Sequence, residues 1–291
     1  MWRCCRKECW VLEFEIKGSG IDFGLCVSSG QVFRWRFDGQ RWVGAIGGRW
    51  FEVADESGVL SVRSNIGPEE FCQIFGLARS HEEWFSGILK ADPGLSDAVE
   101  SCRGLRILVQ DEPVEVLFSF LCSANNHVKR IEGMVGKLAS FGEDARFPDL
   151  EVLAGIDGAE LRAAGFGYRA ERVPACAMKV LDFGGMAWFE KLRLGESDWA
   201  VEQLQQLPGV GPKVAECVAL FGLGHGDVVP IDTHVWNAVR RRYFPELVGG
   251  SLTVGRRKLV RDFMRNRFGD EAGLAHLVLF VDEMRNWRSR R

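Results

Sequence analysis

The spacing of apolar residues changes once along this chain, near Gly67, and that change constrains the fold more than any other feature. Over residues 10–63, apolar and charged residues alternate in short segments separated by Gly-containing turns, which is typical of an antiparallel meander. These strand segments are 12–16, 32–36, 41–46, 49–53 and 60–62. Downstream, apolar residues recur at helical spacing over 68–78, 81–91, 112–124, 126–142, 170–182 and 198–207. Strands followed by a long run of helices predict an α+β fold with the antiparallel sheet at the N-terminal end.

Composition places the chain among ordinary globular proteins. Of 291 residues, 46% are hydrophobic and 26% charged, enough for one large or two smaller packed domains. The first residues mix charge with cysteine where a signal peptide needs an apolar stretch, and no apolar run approaches the roughly 20 residues of a membrane span. We therefore expect an intracellular protein without a membrane partner, in the cytoplasm or nucleoid of a prokaryote or the nucleus of a eukaryote. The net charge of −3 neither supports nor excludes a DNA partner.

The cysteine pattern argues against a disulfide framework and against two kinds of metal centre. Cysteines stand at positions 4, 5, 9, 26, 72, 102, 122, 176 and 217. Such a scattered, odd-numbered set is typical of free thiols in a reducing compartment. The first three lie close together, but no second cluster completes a zinc site. No cysteine follows position 217, so a C-terminal iron–sulfur cluster is not expected.

The segment 203–240 contains most of the residues with chemical potential. A helix N-capped by Ser197 or Asp198 is expected to end at Pro208-Gly209. Gly209 and Gly211 then allow a tight turn, and Pro212 suits the first position of a second helix. Such a hairpin turns the free N–H groups of the second helix outward, where they can bind a phosphate. Glycine-containing turns also join packed helices in many proteins, so the turn alone is weak evidence.

Lys213 lies in the first turn of that second helix. Most lysines on helices are simply solvated. Here, however, the positive helix end and a desolvated cleft are both expected to depress the lysine pKa. A neutral lysine amine is a nucleophile that forms Schiff bases. Cys217, four residues later, shares its helix face.

Asp232 follows a stiff apolar approach that ends in Pro230-Ile231. It is well placed to cap a helix that starts near Thr233, and capping alone would explain an aspartate there. A capping carboxylate near Lys213 can also stabilise positive charge that develops on a sugar. Both roles therefore stay open.

Together these residues make the chain resemble a known protein family. The motifs L-P-G-V-G-x-K (207–213) and V-P-I-D-T-H-V-W (229–236) resemble the helix–hairpin–helix, Gly/Pro-rich loop and aspartate signature of base-excision DNA glycosylases. More narrowly, the chain is similar to the 8-oxoguanine DNA glycosylase branch over residues 10–288. The resemblance implies a TATA-binding-protein-like antiparallel domain over 10–96 and a helical catalytic domain over 97–291, with the hairpin at about 198–222.

The resemblance also implies an activity. It is that of a bifunctional glycosylase/lyase that flips 8-oxoguanine out of double-stranded DNA, preferentially opposite cytosine, and excises it. Lys213 would attack the sugar C1′ and form a Schiff base that leads to β-elimination. Asp232 would stabilise the oxocarbenium-like transition state, and His234 would contact a phosphate, although a partly buried structural histidine is an equal alternative.

Four residues match the lesion pocket of that branch. The Gly30 carbonyl would accept a hydrogen bond from N7–H of 8-oxoguanine, which guanine lacks; a plain turn glycine is the alternative. Cys217 and Phe280 would enclose the flipped purine, unless they are only core residues. His276 stands where the family commonly has a glutamine. A neutral imidazole has one donor and one acceptor and cannot reproduce the amide pattern, so we expect altered affinity or purine selectivity.

The remaining matches concern DNA contacts, and a solvated loop is the alternative for the Tyr168-Arg169 pair. Asn125 would fill the vacated stack, Tyr168 would wedge the duplex, and Arg130 and Arg169 would read the orphaned cytosine. Gly209 and Gly211 would bring the hairpin close to a phosphate. The carbonyls of Gln205, Leu207 and Val210 match positions that hold a monovalent cation, while no other cofactor is required. A monomer is expected.

Two competing functions stay open from the residues alone. One is a glycosylase for another damaged base. The missing C-terminal cysteines argue against the iron–sulfur branches, and Lys213 argues against the alkylation-repair branch, which uses the aspartate without the lysine. The other is a non-catalytic helix–hairpin–helix module that only grips the DNA backbone. Such a module has no need for Lys213, Asp232, Cys217 and Phe280 together.

Overall fold

The computed structural model describes residues 11–56, 58–108, 110–247 and 251–289, with side chains up to residue 285. The cysteines at positions 4, 5 and 9 therefore lie outside the described residues. Within them the predicted α+β class is confirmed, because a single sheet is followed by a long series of helices. No helix among the described residues is long and apolar enough to cross a membrane.

Five antiparallel strands form the N-terminal sheet. They are β1 (Leu12–Lys17), β2 (Trp35–Phe37), β3 (Trp42–Ile46), β4 (Arg49–Glu56) and β5 (Val59–Ser64), in the spatial order β1-β5-β4-β3-β2. In β5 buried and half-buried residues alternate, as the period of two predicts for a strand that packs on one face. Phe14 of β1 pairs with Val62 of β5, so the first strand closes one edge beside the last.

The expectation of strands throughout 10–63 is wrong in one place. Residues Phe23–Ser28 form a short helix, α1, and Val32–Arg34 of the expected second strand are not in the sheet. The Asp22 carboxylate accepts the Leu25 N–H at 2.7 Å and caps α1. Phe23, Cys26 and Val27 are buried at helical spacing. A helix of six residues gives too short a pattern to distinguish from its neighbouring strands.

The helical part follows without a further strand among the described residues. Its members are α2 (Pro68–Ile74), α3 (His81–Ala91), α4 (Ser96–Ser101), α5 (Pro113–Ser123), α6 (Val128–Ala139), α7 (Leu150–Gly155), α8 (Gly158–Ala163), α9 (Arg172–Phe183), α10 (Met186–Leu194), α11 (Ser197–Leu204), α12 (Pro212–Leu223), α13 (Thr233–Tyr243), α14 (Val254–Phe268) and α15 (Ala272–Ser289). Helices α5 and α12 are buried nearly all round and lie at the centre. Gly222 lets them approach closely, because a Cβ there would lie 3.1 Å from Val116.

Three predicted helix starts can be compared with the structure. Pro212 is the first residue of α12 and Asp232 is the N-cap of α13, as expected. The predicted N-cap of α11 at Ser197 or Asp198 is wrong, since Glu196 is the cap residue. Ser197 is already helical, and its hydroxyl donates to Asp227 at 2.6 Å instead of capping the helix.

Candidate active site

The site is built on the turn between α11 and α12. Gly209 has φ +85°, and a Cβ there would lie 2.8 Å from Arg172 Cδ and 3.0 Å from Leu121 Cδ1. Only glycine therefore fits both the left-handed backbone and the close approach. Gly211 is the extended N-cap residue and is exposed, so the start of α12 faces solvent.

Lys213 lies at that start, half-buried, with its Nζ 5.1 Å from the centroid of the Phe120 ring of α5. Burial acts to lower the lysine pKa, but interactions with the Cys217 thiol and the Asp232 carboxylate act in the opposite direction and prevail. The pKa of Lys213 therefore lies above its ordinary value. The expectation of a depressed pKa is wrong for the free protein, because the neighbouring acidic groups outweigh the helix end and the cleft.

Asp232 holds the other side of the site from the start of α13. One carboxylate oxygen accepts the backbone N–H of both His234 and Val235, each at 2.9 Å. This double acceptance fixes the side chain and completes the helix cap. Asp232 also interacts electrostatically with Lys213, Cys217 and His276, so the carboxylate lies among these groups.

Cys217 is 2% exposed, and burial raises the pKa of its thiol to about 11. Its thiol is therefore neutral at physiological pH. A neutral thiol behaves as a small, polarisable apolar group, which suits a wall against which a base could pack.

His276 is 5% exposed, and burial lowers its pKa to about 4, so the imidazole is neutral. Its Nδ1 has no partner within hydrogen-bond geometry among the described residues, although the backbones of Gly273 and Pro230 act on the ring and favour its charged form. The His276 ring lies nearly parallel to Phe280, with centroids 6.4 Å apart.

The N-terminal part of the chain reaches this site at Gly30. Gly30 has φ +87°, and a Cβ there would lie 3.8 Å from Phe280 Cε1, so the glycine and the ring are neighbours. Buried Gln31 anchors the loop by donating to the Arg106 carbonyl and accepting the Leu108 N–H, both at 2.9 Å. The loop is therefore held in place by two backbone contacts on a distant segment.

The residues predicted to contact the DNA strand opposite the lesion form a second cluster. Asn125 is exposed with φ +50°, a conformation that asparagine tolerates. The preceding Ala124 carbonyl accepts the Tyr168 hydroxyl at 3.2 Å and also the Arg169 guanidinium. Arg169 is 2% exposed and turned inward, while Arg130 donates to the Gly165 carbonyl at 2.8 Å.

The sequence-predicted residues thus fall into two groups. The first group surrounds the Lys213 amine. It comprises Lys213, Asp232, Cys217, His234, His276, Phe280 and Gly30. Sequence reasoning missed Phe120 beneath Lys213, and it missed Glu216 and Arg257 beside Asp232. The signal for Glu216 is its place one helical turn after Lys213. Nothing in the sequence indicates its partner.

No group of three or more His, Cys, Asp and Glu side chains within the described residues is arranged to hold a metal ion. The site can supply an amine, a fixed carboxylate and a neutral, partly apolar pocket. That combination suits nucleophilic attack beside a developing cation.

Two protein-family models match consecutive parts of the chain. The model of the 8-oxoguanine DNA glycosylase N-terminal domain matches residues 13–117, and that of the HhH-GPD superfamily of base excision DNA repair proteins matches 118–247. The fold is shared with the 3-methyladenine DNA glycosylase of Archaeoglobus fulgidus, at 21% identity and a TM-score of 0.71 over 94% of this chain and 98% of that one.

Two relatives are more similar. The structure of the Clostridium acetobutylicum 8-oxoguanine glycosylase/lyase, in complex with double-stranded DNA containing cytosine opposite 8-oxoG, has a TM-score of 0.82 at 27% identity, over 95% of this chain and 98% of that one. The N-glycosylase/DNA lyase OGG1 of Arabidopsis thaliana is 35% identical over 280 residues, which are 89% of this chain and 76% of the relative. The chain therefore belongs to the 8-oxoguanine DNA glycosylase family of the HhH-GPD superfamily.

Proposed function

We propose that this protein is a bifunctional DNA glycosylase/lyase that excises 8-oxoguanine from double-stranded DNA. The observation that carries the proposal is the placement of Lys213 and Asp232 at the starts of two neighbouring helices, within electrostatic range of each other. The Lys213 amine is the nucleophile for C1′ of the damaged nucleotide, and the Asp232 carboxylate stabilises the cation that develops there.

The chemical steps follow from these two groups. The Lys213 amine bonds to C1′, and the base leaves with the electron pair of the glycosidic bond and takes up a proton. Opening of the sugar ring gives a Schiff base, after which loss of a proton from C2′ expels the 3′ phosphate. Because the pKa of Lys213 is raised in the free protein, the ammonium must first lose a proton. The rate of adduct formation with an abasic site should therefore increase as the pH rises from neutral to alkaline.

The pocket beside the lysine fits a flipped purine. Cys217 and Phe280 enclose it, and the Gly30 carbonyl accepts the N7–H that distinguishes 8-oxoguanine from guanine. Guanine would leave that carbonyl facing a bare nitrogen, at a cost of about 1–3 kcal/mol. His276 is consistent with this assignment, because its neutral imidazole lies beside Phe280 and has one donor and one acceptor.

Opposite the lesion, Asn125 fills the gap, Tyr168 wedges the duplex, and Arg130 and Arg169 read cytosine. Both arginines now bind backbone carbonyls, so they must exchange these contacts for the base. Gly165 and Gly167 both have positive φ and lie just before Tyr168 and Arg169, which gives this part of the backbone the freedom to rearrange.

Further DNA contacts come from the hairpin. Gly209, Gly211 and His234 approach the phosphates, with the exposed start of α12 as the anion site. The carbonyls of Gln205, Leu207 and Val210 would hold a monovalent cation, whose charge would help to bind a DNA phosphate. The Leu207 carbonyl accepts the Val210 N–H at 3.1 Å, and its second lone pair would serve the ion. The protein acts as a monomer, and the division between its two domains lies near residue 96, at the start of α4.

Borohydride trapping tests the proposal. The protein is incubated with duplexes that carry 8-oxoguanine opposite cytosine, 8-oxoguanine opposite adenine, or undamaged guanine. We expect a covalent adduct only with the lesion, and more of it opposite cytosine. Tight binding to all three duplexes without adduct or base release would contradict the proposal and favour a non-catalytic DNA-binding module.

A further inference from the structure

The backbone of Ile231, directly before Asp232, is held at both of its polar groups. Its N–H donates to Glu216 Oε2 at 3.1 Å, and its carbonyl accepts Arg257 Nη1 at 2.5 Å. Arg257 Nη2 lies 2.6 Å from the same Glu216 oxygen. A carboxylate, a guanidinium and one residue of backbone thus form a closed set of contacts, here called the Ile231 clamp.

The clamp joins three elements of the site. Glu216 lies on α12, three residues after Lys213 and immediately before Cys217. Arg257 lies on α14, and Ile231 leads into the N-cap of α13. Any shift of Ile231 relative to α12 would stretch these contacts and move Asp232 with respect to Lys213.

Burial gives the clamp a rigid geometry and little net stabilisation. Glu216 is 7% exposed, and burial raises its carboxyl pKa although Arg257 and the Ile231 N–H act to lower it. The desolvation of a buried ion pair largely offsets its Coulomb attraction. Arg257 nevertheless binds two acceptors with the two ends of one planar guanidinium, the Ile231 carbonyl and the Glu216 carboxylate, which fixes distances and angles that a single point charge does not.

We propose that Glu216 and Arg257 are positioning residues that set the distance between the Asp232 carboxylate and the Lys213 amine. The inference rests on the roles proposed for those two groups. Asp232 holds its own side chain through the N–H groups of His234 and Val235, so only its backbone needs an external anchor. Pro230 stiffens that backbone from one side, and the clamp fixes it from the other.

The test compares Glu216→Gln, Glu216→Ala and Arg257→Lys with a matched control, Asp92→Asn. Asp92 is also 7% exposed, also accepts a backbone N–H (Gly94, 3.0 Å), and also pairs with an arginine of α14, Arg267 at 3.2 Å. Ten residues separate Arg267 from Arg257, which is about 15 Å along a helix. The control therefore removes a similar buried interaction at a distance from Asp232.

Single-turnover excision of 8-oxoguanine at saturating enzyme is the main readout, with duplex affinity and thermal stability measured beside it. We expect Glu216→Ala to slow excision roughly 10- to 100-fold, which is the effect of an ångström-scale misplacement. Glu216→Gln, which keeps one acceptor, and Arg257→Lys should be slowed less, and affinity should change by less than about 3-fold. Asp92→Asn should lose similar thermal stability and excise at the wild-type rate.

Two results would overturn the inference: wild-type excision by all three clamp variants, or equal slowing by Asp92→Asn. Asp232→Asn, run in parallel, separates this failure from failure of the proposed function. If Asp232→Asn is slow while the clamp variants are not, only the clamp is wrong. If Asp232→Asn is as fast as wild type, the role proposed for Asp232 fails as well.

Discussion

The Lys213–Asp232 centre and the segment that faces the opposite strand differ in how they are held. The centre stands on the starts of α12 and α13, with Asp232 fixed by two backbone N–H groups and Gly30 anchored through Gln31. The residues that face the opposite strand lie before α6 (Asn125), in the first turn of α6 (Arg130) and in a 3-10 turn, Gly167–Arg169. There Arg169 is turned inward onto the carbonyl of Ala124.

This difference corresponds to two proposed tasks, base excision at the centre and recognition of the base opposite the lesion. In the centre, Asp232 and the Gly30 loop are held by hydrogen bonds to backbone groups before substrate arrives, which is what stabilisation of a transition state requires. Arg130 and Arg169 are instead bound to backbone carbonyls, which they must exchange for a base, so they contact the opposite strand only when DNA is bound. Four predictions test this contrast, in order of decreasing effect.

Lys213→Gln should remove nearly all base release, by roughly a thousandfold or more, because the proposed mechanism takes its nucleophile from the Lys213 amine. Duplex affinity should stay close to wild type, since the glutamine keeps the size of the side chain. Single-turnover kinetics and equilibrium binding measure the two effects. Lys179→Gln, on α9, is the control and should release base at the wild-type rate. Base release by Lys213→Gln at more than a tenth of the wild-type rate would contradict a fixed catalytic lysine.

Asp232→Asn should slow excision roughly 100- to 1000-fold while thermal stability is kept. Asparagine caps a helix as well as aspartate does but has no charge to stabilise a cation. Asp232→Ala should lose both the excision rate and the helix cap, and removal of the cap should lower the free energy of unfolding by about 1 kcal/mol. Denaturant unfolding measured beside the kinetics separates the two roles. Equal activity of Asp232→Asn and wild type would reduce Asp232 to a helix cap.

Arg169→Gln should lower the ratio of excision rates opposite cytosine and adenine by roughly tenfold or more, since a bidentate base contact contributes about 1–3 kcal/mol of discrimination. Arg172→Gln serves as the control, because both guanidinium groups lie over the Tyr168 ring, at 4.4 and 4.6 Å. An unchanged ratio for Arg169→Gln would show that the inward arginine never reaches the base.

His276→Gln should change the pH dependence of stability. The folded pKa of His276 is about 4, below its ordinary value, so protonation favours the unfolded chain. The stability of the wild type should fall by roughly 1.4 kcal/mol per pH unit between about pH 6.5 and pH 4 through this group. Denaturant unfolding across that range should show a shallower slope for the variant. Identical slopes would mean that the imidazole is not held neutral.

Local signals predicted much of this molecule. The bounds of α3 agree with its apolar spacing, Pro212 begins α12, and Asp232 caps α13, because each depends on residues within one turn. The short helix Phe23–Ser28 was missed because its pattern is brief and lies among strands.

Features that depend on distant residues could not be predicted in this way. Glu216 meets Arg257 across 41 positions, and the pKa of Lys213 depends on where Asp232 comes to lie. The inward turn of Arg169 depends on a carbonyl 45 positions away. Such contacts are set by tertiary packing, which a single sequence does not display.

The most direct test of the central claim is to map the covalent adduct. The protein is trapped with borohydride on a duplex containing 8-oxoguanine opposite cytosine, digested, and sequenced by mass spectrometry. The placement of Lys213 beside Asp232 predicts that the reduced sugar is attached to Lys213. Attachment to another lysine or to the N-terminal amine, with Lys213 unmodified, would contradict it.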